Sequence, residues 1–136
     1  MKDELEPSLL CYQKILDKLP HDKIYYNPFT THNYIEQCNL KVGTEEKFDI
    51  ILCGVSNKDR LIKVMSYNKP FIIMMPITMC MSSVFINTYD KNLSIIVPKK
   101  RLIYVDKDGD KQNNNYISVY AVNNIEGVFK GTLDFI

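Results

Sequence analysis

The sequence has no C-x-x-C pair, and the spacings of Cys11, Cys38, Cys53 and Cys80 fit no zinc pattern. Three of the four lie in apolar periodic segments, which predicts reduced core residues of an intracellular protein and not a disulfide set. An excess of one charge is also missing. Seventeen Lys and Arg face 16 Asp and Glu, so the net charge is +1. No global pull toward nucleic acid or membrane is written in, and any binding must come from a local patch. The longest apolar stretch, near residues 71–81, falls far short of the ~20 residues of a membrane span. The opening MKDELEPS is acidic and polar, which predicts no secretory signal, and its KDEL is at the wrong end for retention. Tryptophan is absent, and so are repeats, linkers and low-complexity tracts beyond Asn113-Asn114-Asn115. The abundance of Asn, Ile, Lys and Tyr suits an AT-rich genome, a hint about origin and not about mechanism.

What is present predicts one domain over residues 1–136. A chain of this length buries about two-thirds of its unfolded surface. Hydrophobic content of 46% with 24% charged residues is ordinary for a globular chain and argues against disorder. The organising stretch is 48–77. Asp49-Ile50-Ile51-Leu52-Cys53 is apolar, short and β-branched, hence a buried strand. Residues 54–57 break it. Residues 59–65 place Leu61, Ile62 and Met65 at helical spacing. Asn68-Lys69-Pro70 ends that helix, because the residue before proline disfavours helical backbone. Residues 71–75 form a second continuous apolar run. Two such runs joined by a helix predict a βαβ unit in a parallel sheet covered on both faces. The site of such a sheet lies past its strand ends, here at 53–56 and 76–77.

Around that unit, residues 1–6 read as a loose start and Glu6-Pro7-Ser8 as the beginning of a helix. Leu9, Tyr12, Ile15, Leu16 and Leu19 make its apolar stripe, stopped by Pro20. Residues 23–26 predict a short strand, 27–33 a loop, and the next few a short helix with Tyr34, Ile35 and Cys38 inward. Residues 39–47 read as a loop. Residues 78–89 predict a short helix or irregular segment. Strands are expected at 93–97, 102–105 and 116–122, an exposed turn or loop at 106–115, and a short terminal strand within 130–136.

Several pieces, in order, resemble phage- and virus-type adenine-specific DNA methyltransferases. They are Asp49-Ile50-Ile51, Lys69-Pro70-Phe71-Ile72-Ile73-Met74-Met75-Pro76-Ile77, Ile95-Ile96-Val97-Pro98-Lys99-Lys100-Arg101, and Tyr116-Ile117-Ser118-Val119-Tyr120. Lys23-Ile24-Tyr25-Tyr26-Asn27-Pro28-Phe29 is similar to that family's first strand, which ends in E-P-F-x-G-x-G. The similarity spans roughly residues 9–123 and rests on several individually weak motifs. It implies a small Rossmann-like methyltransferase fold of the α/β class. The implied sheet is mostly parallel, with about five or six strands and an antiparallel strand near the C-terminus.

Both functional motifs depart from the family pattern. The loop that would hold S-adenosylmethionine corresponds to Asn27, Pro28, Phe29, Thr30, Thr31, His32 and Asn33. Pro28 and Phe29 remain, while the acid and both glycines are gone, so side chains fill the space a cofactor needs. The N-P-P-F that would hold a flipped adenine corresponds to Gly54, Val55, Ser56 and Asn57, without the acceptor or the stacking ring. The fifteen residues 34–48 leave room for a helix and a connection but hardly for two more strands, so the cofactor-binding half reads as truncated. No bound cofactor is expected unless the enzyme reading holds, in which case it is S-adenosylmethionine.

Other chemistry is sparse. Asp106-Lys107-Asp108-Gly109-Asp110 alternates acids as a calcium loop does, but the glycine is misplaced and Ile117 stands where the closing Glu belongs, so a solvated hairpin turn is expected and no metal. Lys99, Lys100 and Arg101 are candidate phosphate contacts or a solvated basic turn. His32 and His21 lack an identifiable partner for general-base work. Cys53 has no activating His nearby in sequence, and Ser56 no glycine elbow. Met74, Met75, Met79 and Met81 read as core filler, although Met79 and Met81 cannot both point inward.

The sequence therefore predicts a catalytically inactive, methyltransferase-like interaction or structural protein, viral if the resemblance sets its source. It would act inside a cell or in a virion through a protein partner or self-association, without a membrane. The alternatives are a nucleic-acid-binding module using Lys99-Lys100-Arg101, and a residual methyltransferase completed by a partner chain.

Overall fold

A computed structural model describes residues 5–29, 32–88, 93–112, 117–125 and 133–136. The chain opens on β1 (Glu6–Pro7), α1 (Leu9–Gln13) and a 3-10 turn (Leu16–Lys18), followed by β2 (Ile24–Tyr26), α2 (Tyr34–Gln37) and β3 (Lys41–Val42). The central unit is β4 (Ile50–Gly54), α3 (Lys58–Ser66) and β5 (Phe71–Pro76). A 3-10 turn (Ile77–Met81) and α4 (Ser83–Thr88) lead to β6 (Leu93–Val97), β7 (Tyr104–Val105), β8 (Lys111–Gln112), β9 (Ser118–Asn123) and β10 (Leu133–Phe135).

The fold is α/β. Seven strands form the main sheet in the order β10-β6-β9-β5-β4-β2-β3. All neighbours are parallel except at β9, which runs antiparallel to both β5 and β6. The expected antiparallel strand near the C-terminus is thus present, and the sheet has one strand more than the five or six expected. A second sheet, β1-β7-β8, is small and antiparallel.

Every residue of β4, β5 and β9 is buried. Alternation along the strands divides them between two cores. Ile50, Leu52, Ile72, Met74, Tyr120 and Val122 pack with Cys11, Tyr12, Ile15 and Leu19 from the α1 side. Ile51, Cys53, Ile73, Met75 and Ala121 pack with Leu61 and Val64 of α3 and Phe85 of α4. Burial on both faces is why these strands read as continuous apolar runs. Each such aliphatic side chain contributes roughly 1.5–3 kcal/mol by leaving water.

The βαβ unit matches its sequence reading, with local differences. Asn57 caps α3 by accepting the Arg60 N–H at 2.9 Å, and Asn68 beyond its C-terminus takes φ 52°, the left-handed conformation that asparagine tolerates at a helix end. Ile62 is exposed and Val64 buried, so the inward stripe is Leu61 and Val64 with Met65 half-buried beside them. The helix expected over 9–19 breaks after Gln13 and resumes as a 3-10 turn, with Tyr12, Ile15 and Leu19 still inward. Glu6 and Pro7, read as the beginning of that helix, instead form β1 against β7, and Ser8 stands in extended backbone just before α1. Residues 41–42, read within a loop, form β3 parallel to β2. The room between residues 34 and 48 therefore holds a helix and one two-residue strand.

Met74 and Met75 are fully buried, Met79 is partly buried and Met81 is 79% exposed. All four cysteines are free thiols, three buried and Cys80 half-buried. No helix among the described residues is long and apolar enough to cross a membrane.

Candidate functional site

The parallel strands of the main sheet share one carboxyl edge. From β2 the chain passes outward through α2 to β3, and then returns to β4 on the other side of β2. The crevice between the ends of β2 and β4 is therefore a switch point, where open α/β sheets take ligands.

On the β2 side, Asn27 Nδ2 donates to Tyr12 Oη at 3.2 Å, and Asn27 Oδ1 accepts the Phe29 N–H at 2.9 Å. Pro28 and Phe29 are half-buried, and the Arg60 guanidinium lies 4.7 Å from the Phe29 ring centroid. Thr30 and Thr31 lie outside the described residues. Asn33 is exposed and accepts from Gln37 Nε2 at 2.6 Å.

On the β4 side, Gly54 ends the strand and Val55 is wholly buried, its N–H donating to the Met74 carbonyl at 2.8 Å. Ser56 is half-buried, and Asn57 serves as the α3 cap. Asp49, aligned with the family's strand acid, lies at the opposite end of β4. Its carboxylate accepts the Ile24 N–H at 2.8 Å, a tie between strands away from the crevice.

The chain's own N-terminal segment lies over the end of β4. Pro7 packs so closely on Gly54 that a Cβ there would be 2.1 Å from Pro7 Cδ. Beside it, His32 Nε2 is 3.5 Å from Glu6 Oε1 and 3.1 Å from the Asp106 carbonyl. The His32 ring stacks on Tyr34 at 4.9 Å, and Tyr34 meets Tyr12 at 5.7 Å. Sequence reading left His32 without a partner; the fold supplies Glu6. It also brings in Pro7, Tyr12, Tyr34 and Arg60, which no local signal singled out. What remains open is a cavity of about 300 Å³ toward β3, lined by Tyr26, Asn27, His32, Ile35, Glu36 and Val42 among others.

Burial pushes the Cys53 thiol far above its ordinary range, against a smaller opposing influence of Arg60. Fully buried and neutral, it is no nucleophile. Burial also raises Tyr12, with the neighbouring Cys53 and Glu6 acting in the same direction.

Lys99, Lys100 and Arg101 are exposed just past β6, on the same carboxyl edge. Asp106, Asp108 and Asp110 bring carboxylate oxygens within 4.8 Å of one another. Asp106 Oδ1 accepts the N–H groups of Asp108 and Asp110, and Oδ2 accepts Gln112 Nε2. These bonds close the turn between β7 and β8, with Gly109 at φ +84°; β8 lies within the 106–115 segment that the sequence reading gave wholly to turn or loop.

No protein-family model, curated protein or solved structure matches the chain significantly.

Proposed function

We propose that this chain is a catalytically inactive, methyltransferase-like protein of viral origin that works by binding a protein partner inside the host cell or virion. The observation that carries this reading is the seat of Pro7 on Gly54. A base-holding side chain at position 54 and the N-terminal segment in its present place exclude each other sterically. Three features support the inherited scaffold. They are β2 followed by Asn27-Pro28-Phe29, the β4–α3–β5 unit, and β6 followed by Pro98-Lys99-Lys100-Arg101, with the later strand β9 inserted antiparallel between β5 and β6. The residues at the cofactor loop do not fit S-adenosylmethionine. Asn33, which accepts from Gln37 Nε2, carries a side chain at one of the two positions where the resembled pattern has glycine, and between those positions His32 stacks on Tyr34 and faces Glu6. The edge strand β3, with Val42 56% exposed, offers a partner an open ladder.

A second reading, a nucleic-acid-binding module, is favoured by the exposure of Lys99, Lys100 and Arg101 on one edge. It requires affinity that falls steeply with salt. A third, a methyltransferase completed by a partner chain, draws on the cavity beside Asn27 and His32. The test of the leading reading is methyl transfer from radiolabelled S-adenosylmethionine to adenine-containing DNA. Incorporation at background is expected; sustained incorporation by the purified chain overturns the reading.

A further inference from the structure

A second concavity, separate from the crevice, lies between α1 and the segment that follows β6. Its volume is about 430 Å³, and its walls include Leu10, Cys11 and Lys14 on one side and Lys100, Leu102 and Ile103 on the other. We propose that this groove docks an acidic, amphipathic peptide segment of a protein partner, a proposal that rests on the reading of the chain as a binding protein.

Four observations lead there. The groove is preformed, because the Ser8 N–H donates to the Ile103 carbonyl at 2.9 Å and Cys11 Sγ contacts the same oxygen at 3.4 Å, tying one wall to the other. Its surface presents aliphatic side chains to solvent, with Leu10 61% and Ile103 37% exposed. Its charge is of one sign: Lys14, Lys100 and Arg101 line it and no acid does, in a chain whose net charge is only +1. Among the described residues, no carboxylate pairs with Lys14 or Lys100. An apolar floor with a cationic rim complements a segment that alternates aliphatic anchors with carboxylates. A nucleic-acid strand fits less well, because single strands are held by aromatic stacking platforms and the groove lining has no aromatic ring.

The test is selection of a displayed random-peptide library against the intact chain, followed by fluorescence anisotropy of the selected peptides. Peptides carrying aliphatic anchors flanked by Asp and Glu are expected. Leu10→Asp and Lys100→Glu should each weaken them about tenfold or more, the loss of one anchor contact. Both side chains are exposed, and circular dichroism melts check that the variants fold. Selected peptides without acids, peptides that bind both variants as tightly as the parent, or no selected peptide at all would each overturn the proposal. So would a single-stranded DNA oligonucleotide that binds the parent and not Lys100→Glu. Background methyl transfer alongside any of these failures leaves the non-enzymatic reading standing and removes only this groove from it.

Discussion

Pro7 and Gly54 touch so closely that a methyl group on Gly54 would lie 2.1 Å from Pro7 Cδ. The ring of one residue occupies the space that any side chain on the other would need. This contact joins the small antiparallel sheet to the carboxyl edge of the main one, and it closes the end of β4.

Gly54→Ala is expected to destabilise the chain by about 1–3 kcal/mol, the usual cost of forcing a methyl group into a filled site. Pro7→Ala removes the ring carbons that would clash, so the double variant should recover part of that loss. Thermal melts of the four proteins give the coupling between the two sites directly. Gly54→Ala as stable as the parent would mean that the two segments do not pack in solution.

Asn57 stands where the family pattern places an aromatic base-stacking residue, and here its side chain caps α3. Asn57→Ala should cost about 1 kcal/mol, and Asn57→Asp, which keeps the acceptor, only a few tenths. Urea unfolding distinguishes the two. Equal losses in both variants would argue against the cap.

The half-buried Cys80 thiol is pushed by burial from 9.0 to about 11. Its folded form holds the proton longer than its unfolded form. The stability tied to that proton is complete below pH 9 and drains away between pH 9 and about 11. Burial raises Cys11 and Cys38 in the same direction. The melting temperature should therefore fall as pH rises through this window, and less steeply in Cys80→Ala. Parallel curves for parent and variant would contradict the assignment.

Asp106 organises its hairpin by accepting bonds from Asp108, Asp110 and Gln112. Asp106→Ala should cost on the order of 1 kcal/mol, while added calcium should leave the melting temperature of the parent unchanged. A rise with calcium would instead assign the three acids to a cation.

The sequence made the β4–α3–β5 unit legible because strands buried on both faces are written as unbroken apolar runs, ended here by Asn68-Lys69-Pro70. The strand at β9 was legible from its alternation, although all six of its residues prove buried. The two-residue strands were not. Lys41 and Val42 are both exposed and carry no apolar pattern, and Glu6-Pro7 looks like the beginning of a helix because proline suits a first turn. Ile62 fits the helical spacing as well as Val64 does, and only packing decides between them. Departures from the resembled pattern in the crevice could be read from the sequence, but the residues that pack there could not. Pro7 on Gly54, and Glu6 beside His32, join residues far apart in the chain, and no local periodicity encodes such a pair.

The most direct measurement is calorimetric titration of the intact chain with S-adenosylmethionine and S-adenosylhomocysteine. A crevice covered by Pro7 at Gly54 and flanked by the His32–Glu6 pair, in place of a glycine-lined cofactor loop, predicts no heat of binding up to millimolar ligand. Micromolar binding, worth about 8 kcal/mol, would contradict that account and return the chain to the enzymes.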